Sequence, residues 1–287
     1  MTFATDETIT ELAAERWRDG ARDPRTGQLM GSLIEHLHAF ARENQLTMEE
    51  WFQATEWLAR AGQITNEKRK EFILLSDVLG LSMLLELMYD AKPEEATQST
   101  LLGPFFVPGS PEIADGGRLP AVNDEDGTPL IVMGQVRTVE GEPITDAAID
   151  VWQTDDKGIY EAQLPPGSEF RHRGVVRPKE DGSYMFRTVV PVDYPVPTDG
   201  PVGELLRLTT ISDIRPSHIH FKVEAPGHEP LVTHVFDKSS PYLENDVVFG
   251  TREGLLMDLV EHPAGEAPNG ETIDRPFKVM NLDLVLV

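Results

Sequence analysis

The segment Arg215-Pro-Ser-His-Ile-His-Phe-Lys-Val predicts a β-strand with two histidines on one face. Alternate residues of a strand share a face, so His218 and His220 lie on one side and Ile219 and Phe221 on the other. Two imidazoles on one face are well placed to bind one metal ion, and the two apolar side chains to face a core. Because the motif is short, two half-buried histidines with ordinary hydrogen bonds remain an alternative.

Short segments rich in Val and Ile continue on both sides of this strand. Turn signals such as Glu140-Gly141 and Asp181-Gly182 separate them. Short strands without intervening helices predict an antiparallel sandwich or barrel. The predicted strands are 130–136, 148–153, 183–190, 218–223, 231–236 and 277–286.

The N-terminal third has a helical period instead. Leu33, Leu37 and Phe40 fall on one helical stripe, and Thr47 with Glu50 forms a capping box that begins another helix. A last helix is predicted from Thr65 as its N-cap to about residue 88. It is apolar on nearly all sides, which predicts burial, and Gly80 within it indicates close packing or a kink.

These patterns predict an α+β fold with segregated halves. A helical N-terminal domain is expected over residues 1–102, followed by a β-sandwich domain over residues 103–287.

Composition excludes several classes of function. The chain has 25 Lys and Arg against 49 Asp and Glu, a net charge of −24, which disfavours binding to nucleic acid or to anionic lipid. No cysteine is present, so a disulfide framework, a thiolate metal site and a Cys nucleophile are excluded. With no signal segment and no long apolar run, we expect a cytoplasmic protein that does not span a membrane.

Two of the five tyrosines occupy unusual positions. Tyr160 follows a predicted strand and a glycine turn, and Tyr194 lies in the proline-stiffened loop Pro191-Val-Asp-Tyr-Pro-Val-Pro. A rigid loop holds a side chain at fixed geometry beside a sheet. An ordinary packing role is the alternative for each tyrosine. His36 and His38 cannot chelate one ion, because two helical positions are about 200° apart.

The chain resembles the intradiol ring-cleaving dioxygenases, non-haem ferric enzymes that split catechols between their two hydroxyls. Arg215-Pro-Ser-His-Ile-His matches one family hallmark, and the likeness extends over nearly the whole chain, including Ser99-Thr-Leu-Leu-Gly-Pro-Phe. A second hallmark is the family's strand–turn signature, which is met at Val132, Gly134, Val136, Gly141, Ile144, Ile149, Asp150, Val151, Gly158 and Tyr160.

The resemblance implies one non-haem Fe(III) per chain, held by Tyr160, Tyr194, His218 and His220 with a solvent hydroxide as fifth ligand. Imidazole suits iron, and phenolate is a hard donor for the ferric state. The resemblance also implies that Tyr194 leaves the metal to accept a substrate proton. Arg215 is implied to stabilise the carbanion-like ring during oxygen attack, and a surface ion pair is the alternative for this arginine.

Within the family, three local features are most similar to enzymes that act on hydroxyquinol. They are the segment 151–163, His234 where catechol enzymes usually have Gln, and a helical edge with Leu74 and Asp77. Asp77 is placed to accept a hydrogen bond from a third substrate hydroxyl, and a helix-surface carboxylate is the alternative. The remaining expected pocket residues are Gly103, Pro104, Phe105, Val196 and Pro197.

The implied reaction is cleavage of 1,2,4-trihydroxybenzene by O2 to 3-hydroxy-cis,cis-muconate, which tautomerises to maleylacetate. Catechol or a chlorocatechol is the alternative substrate. Two alternatives of other classes are a non-catalytic β-sandwich binding module and a zinc hydrolase. The family's dimerisation region further implies a homodimer through the N-terminal helices, with a lipid at the helical interface.

Overall fold

The structure is a computed structural model that describes residues 3–67, 69–121, 127–165 and 170–287. The chain forms two compact units, Met1–Arg60 and Ala61–Val287. The α-helices are α1 (Ile9–Gly20), α2 (Pro24–Glu43), α3 (Met48–Ile64), α4 (Glu71–Val78), α5 (Leu81–Tyr89) and α6 (Pro201–Arg207). The strands are β1 (Glu112–Ile113), β2 (Pro129–Thr138), β3 (Ala148–Gln153), β4 (Arg173–Val176), β5 (Ser183–Val189), β6 (Tyr194–Pro195), β7 (Ile214–Arg215), β8 (His218–Glu224), β9 (Leu231–Asp237), β10 (Leu256–Met257), β11 (Val260–His262), β12 (Gly265–Glu266), β13 (Thr272–Ile273), β14 (Phe277–Asn281) and β15 (Leu284–Leu286).

Side-chain caps define the helix starts in the first unit. Asp23 accepts a hydrogen bond of 2.8 Å from the Thr26 N–H, directly before Pro24 at the first helical position of α2. The predicted capping box at α3 is confirmed. The Glu50 carboxylate accepts from the Thr47 N–H at 2.9 Å, and the Thr47 hydroxyl accepts from the Glu50 N–H at 3.2 Å.

The helix predicted from Thr65 to about residue 88 is wrong in two respects. Thr65 caps nothing there, since its hydroxyl donates to the Ala61 carbonyl and the helix begins at Glu71. Gly80 has a φ of 73° and divides the segment into α4 and α5, which bend by 72°. The kink prediction is confirmed.

The burial predicted for this segment is wrong as well. Several apolar side chains around and along α5 are exposed in the single chain: Leu79, Leu81, Leu84, Leu85, Leu87 and Met88. Their apolar character therefore does not reflect packing within one chain. Among the described residues, no single helix is long and apolar enough to cross a membrane, and α4 with α5 meets those criteria only as a bent pair.

Two sheets form the sandwich of the second unit, and the predicted α+β class is confirmed. One sheet has the order β1-β4-β3-β8-β9-β10, and the other has the order β11-β14-β2-β15 with β5 also paired to β2. The ladders β3–β8, β8–β9 and β2–β5 are antiparallel as predicted, whereas β14 and β15 run parallel to β2. The segment 277–286, which was predicted as one strand, forms the two strands β14 and β15.

Gly134 of β2 lies between the residues that pair with β14 and those that pair with β15, and the close approach of another backbone segment explains why it is a glycine. A Cβ at Gly134 would lie 1.8 Å from the Leu282 carbonyl oxygen, and the Leu282 N–H donates to Met133 O at 2.8 Å. Only glycine fits where the chain passes from β14 to β15 across β2.

The core lies between the sheets and orients β8. Ile219 and Phe221 are buried in it together with Val151 of β3 and Phe186 of β5. The prediction that they turn away from the histidines toward a core is confirmed. The opposite face of β8 is thereby left to His218 and His220.

Candidate metal centre

Strand register brings three aromatic side chains together on the outer face of the first sheet. His220 pairs with Trp152 on β3 and with His234 on β9. The rings of Trp152 and His220 stack with centroids 4.8 Å apart and planes 7° apart, and His234 lies 4.8 Å from His220 on its other side. Neighbouring strands thus hold His220 on both sides.

A tight turn after β3 directs Tyr160 toward the histidines. Asp155 accepts hydrogen bonds from the Lys157 and Ile159 N–H groups, each at 2.9 Å, and Gly158 supplies a φ of 80°. Tyr160 is fully buried, and its ring stacks on Phe105 with a centroid distance of 4.5 Å.

A short ladder positions Tyr194. The pair β6–β7 places Tyr194 opposite Arg215, in the segment that leads into β8. A Cβ at Gly158 would approach the Tyr194 Cβ to 2.7 Å, so the glycine also leaves space for this tyrosine. The proline-rich loop is therefore packed against the turn that carries Tyr160.

The four predicted ligands meet around one point. The Nε2 atoms of His218 and His220 are 3.1 Å apart, the Tyr160 Oη is 3.1 Å from His218 Nε2, and the Tyr194 Oη is 3.5 Å from the Tyr160 Oη. His218 Nδ1 lies 2.7 Å from the Pro216 carbonyl and donates its proton there, which leaves Nε2 as the free lone pair. Two imidazole nitrogens and two phenol oxygens at this spacing fit one iron ion.

Burial determines the protonation preferences of these groups. It raises the pKa of Tyr160 well above its ordinary value and also raises the pKa of Tyr194. It lowers the pKa of His218 and of His220 well below the ordinary value. The protein alone therefore favours neutral imidazoles, which can donate a lone pair, and neutral phenols. Phenolate at this depth needs a compensating cation.

Arg215 is buried beside the four donor atoms and is not a surface residue. Its Nε and Nη2 atoms donate to the Asp246 carboxylate at 3.0 and 3.2 Å, and its Nη1 lies 3.1 Å from His218 Nε2. Burial opposes the guanidinium charge, but the neighbouring Asp246 outweighs it and raises the pKa of Arg215. The site therefore holds a permanent positive charge.

The predicted pocket residues fall around this centre, with one exception. Leu74, Pro104, Phe105 and Pro197 line one cavity of about 40 Å³. Gly103 faces His220, since a Cβ there would lie 3.5 Å from the imidazole Cε1. Val196 is buried, and its N–H donates to the Asp213 carbonyl at 2.9 Å rather than toward the four donors.

Asp77 is a buried carboxylate near the same centre. It is 4% exposed, so it is not on the helix surface. Burial raises its pKa, a hydrogen bond from Ser82 opposes that effect, and the charges of Arg215 and Asp246 act on it. A carboxylate that is buried within electrostatic reach of Arg215 is suited to bind a polar group of a ligand.

Sequence comparison agrees with this geometry. A family model described as dioxygenase matches residues 101–284, and a model described as catechol dioxygenase N terminus matches residues 23–97. The chain belongs to the intradiol dioxygenase family. It is accordingly an enzyme, and the resemblance inferred from the two hallmarks is confirmed.

Several characterised intradiol dioxygenases are similar over nearly their full length. The 6-chlorohydroxyquinol 1,2-dioxygenase of Cupriavidus pinatubonensis is 48% identical over 90% of this chain and 92% of its own. The hydroxyquinol 1,2-dioxygenase of Nocardioides simplex is 44% identical over 93% and 91%. The crystal structure of hydroxyquinol 1,2-dioxygenase from Pseudomonas putida DLL-E4 superposes with a TM-score of 0.88 at 40% identity, covering 98% of both chains. Non-haem iron is typical of this dioxygenase family.

Some residues of the site escaped the sequence analysis. Asp246, Arg173 and Glu161 are buried or nearly so. Asp246 and Glu161 are two of 49 acidic residues, and no pattern in the sequence distinguishes them. Arg173 pairs with Glu161 at 2.6 Å and donates to the Phe105 carbonyl at 3.1 Å, which ties the ring under Tyr160 to the sheet. Within the described ranges, no three His, Cys, Asp or Glu residues form a metal-binding group.

Proposed function

We propose that this dioxygenase cleaves hydroxyquinol with O2 between its adjacent hydroxylated carbons. The product is 3-hydroxy-cis,cis-muconate, which tautomerises to maleylacetate. The observation that carries the proposal is the convergence of the Tyr160, Tyr194, His218 and His220 donor atoms next to a buried carboxylate, Asp77. The names of the similar enzymes from Cupriavidus and Nocardioides support the same substrate class.

The proposed cofactor is one non-haem Fe(III) per chain, with Tyr160, Tyr194, His218 and His220 as its protein ligands. When bound, ferric iron would supply Lewis-acid chemistry that withdraws electron density from the hydroxylated ring and so opens the ring to attack by O2. The buried phenol oxygens supply the negative charge that a trivalent ion requires.

The protein residues have distinct roles in this proposal. Tyr194 would hold the ion through Oη and accept a substrate proton at that atom, while Tyr160 would hold it through a phenol ring fixed by stacking on Phe105. Arg215 holds its positive charge 3.1 Å from His218, where it stabilises negative charge that develops on the ring. Asp246 keeps this charge in position.

Substrate orientation is assigned to the pocket residues. Asp77 accepts a hydrogen bond from the third hydroxyl, which catechol lacks, and His234 limits the pocket beside His220. The apolar walls are Leu74, Gly103, Pro104, Phe105, Val196 and Pro197. A flat apolar slot with few polar anchors fixes an aromatic ring in one orientation.

We also propose a homodimer through the helical region, with a lipid at its interface. The support is the exposed apolar surface, which includes Leu84, Leu87 and Met88 of α5 and Phe40 and Trp51 in the first unit. Exposed apolar patches of this kind mark interaction surfaces. Light scattering of the purified protein tests the dimer, and mass spectrometry of an organic extract tests the lipid.

Two measurements on one preparation test the substrate and cofactor proposals. The kcat/KM for hydroxyquinol should exceed the kcat/KM for catechol, and metal analysis should find about one iron per chain. A preference for catechol or a chlorocatechol would overturn the substrate and keep the reaction class. A colourless protein that holds zinc, or no metal and no turnover, would overturn the enzyme mechanism.

A further inference from the structure

The guanidinium of Arg215 has fixed partners on two of its three nitrogens. Nε and Nη2 donate to the two oxygens of Asp246, and Nη2 also lies 3.1 Å from His234 Nε2. The third nitrogen, Nη1, lies 3.1 Å from His218 Nε2 and so faces the proposed iron ligands. The orientation of the positive charge is therefore set by Asp246 and His234.

The contact with Arg215 determines which nitrogen of His234 is protonated. A guanidinium donates hydrogen bonds and cannot accept them, so His234 Nε2 must accept, and the ring proton must be on Nδ1. Nδ1 lies 2.7 Å from the Thr100 hydroxyl oxygen, which accepts that proton.

Backbone contacts hold both outer members of this chain of hydrogen bonds. The Thr100 N–H donates to the Val232 carbonyl on β9 at 2.9 Å. The Gly250 N–H donates to Asp246 at 2.9 Å, and a Cβ at Gly250 would lie 2.7 Å from His234 Nε2 and 3.0 Å from Arg215 Nη2. The groups are packed so closely that no larger residue fits among them.

We propose that Thr100 and Asp246 are positioning residues of the reaction. Thr100 accepts the Nδ1–H proton and so supports the His234 tautomer that Arg215 requires, and His234 with Asp246 fixes the edge of Arg215 that faces the reacting centre. This inference rests on the role proposed above for Arg215. Among the described residues, no hydrogen bond joins Thr100 or Asp246 to the four donor atoms, and their hydrogen bonds lead to Arg215, directly from Asp246 and through His234 from Thr100.

Substitution of Thr100 isolates the tautomer effect. Thr100→Val keeps the shape but removes the acceptor of Nδ1–H, so the imidazole is free to protonate Nε2, which then opposes Arg215. We expect kcat for hydroxyquinol to fall about tenfold, with little change in KM. A factor of this size corresponds to the free energy of one lost buried hydrogen bond. Thr100→Ser restores the acceptor and should restore kcat.

Thr233→Val is the matched control. Thr233 is fully buried next to His234 in sequence, and its hydroxyl has no partner among the described residues. This variant should keep wild-type kcat, iron content and visible absorption. If Thr100→Val also keeps wild-type kcat, or if Thr100→Ser fails to restore it, the tautomer role is overturned.

A double-mutant cycle tests Asp246. Asp246→Asn should lower kcat about tenfold with iron content retained, and should add no loss in the Arg215→Leu background, because no guanidinium remains to be oriented. An additional loss in that background would overturn the inference for Asp246. Wild-type turnover in Arg215→Leu would instead overturn the proposed function of Arg215, so the two failures are distinguishable.

Discussion

The phenol oxygen of Tyr160 lies 3.1 Å from His218 Nε2, although the two residues are 58 positions apart in the chain. Both come from the same end of the β3–β8 antiparallel pair, Tyr160 from the turn after β3 and His218 from the start of β8, because Gln153 pairs with Ile219. Antiparallel pairing therefore brings a loop tyrosine to a strand histidine. This contact makes Tyr160 the best residue at which to test the proposed centre.

Tyr160→Phe should reduce bound iron and abolish most of the visible absorption of the purified protein. The variant keeps the ring that stacks on Phe105 but removes the oxygen 3.1 Å from His218. Iron content per chain and the absorption spectrum are the measurements, and turnover should fall with the iron.

Tyr184→Phe is the control for loss of a buried phenol. Tyr184 donates a 2.8 Å hydrogen bond to the Leu282 carbonyl in the main core, a different apolar cluster from the one that contains Tyr160 and Tyr194. It should lose about 1 kcal/mol of unfolding free energy and no iron. Equal iron content in the Tyr160 and Tyr184 variants would remove Tyr160 from the ligand set.

Removal of the metal should lower stability as well as activity. Four buried donors that converge on one point bind the ion in the folded chain only, so iron binding stabilises the native state. The melting temperature should drop after chelation and recover with ferric iron, together with turnover. If zinc restores turnover as well as iron does, the ferric assignment is wrong.

Arg215→Leu should sharply lower turnover while iron content stays near one per chain. The side chain is buried and its Nη1 faces His218, so its charge acts at the centre. Loss of about 100-fold in kcat is expected, as for removal of one preorganised electrostatic donor. Arg215→Lys keeps the charge but loses the paired hydrogen bonds to Asp246, so its kcat should lie between those of the native protein and the leucine variant. Unchanged turnover in the leucine variant would contradict the electrostatic role.

Asp77→Asn should separate stability from substrate preference. Burial raises the folded-state pKa of Asp77, so its contribution to stability is greatest below the unfolded pKa and is lost as pH rises through the folded pKa. At neutral pH the buried charge costs stability, and the Asn variant should melt at a higher temperature than the native protein. The advantage should shrink as pH falls toward 4.

The same variant should discriminate less well between hydroxyquinol and catechol. The ratio of their kcat/KM values should fall about tenfold, because a charge-assisted hydrogen bond to the third hydroxyl becomes a neutral one. Asp150→Asn is a control. Burial also raises the pKa of this carboxyl on β3, which accepts a hydrogen bond from the Ser110 hydroxyl. A ratio that is unchanged in the Asp77 variant would remove this residue from substrate recognition.

Local patterns predicted much of the fold, whereas the proposed ligand set came from the resemblance to the family. Period-two alternation located β8 and its outward histidines, and the capping box located the start of α3. The exposure of α5 was beyond such patterns, since an apolar helix is equally consistent with a core and with an exposed surface. Asp246 was also out of reach, because its role depends on a loop that returns to Arg215 from 31 residues away.

Gly158 provides a final test of the loop geometry around Tyr194. Gly158→Ala imposes a φ of 80° on a residue with a Cβ, at a cost of about 1–2 kcal/mol, and sets that Cβ 2.7 Å from the Tyr194 Cβ. Gly141→Ala is the matched control, since its φ is 92° and the added Cβ meets nothing within 4 Å. Both variants should lose similar stability from the backbone, but only Gly158→Ala should shift the visible absorption and lower turnover, because only there must Tyr194 move. If both variants keep the native spectrum, Tyr194 is not held by this turn.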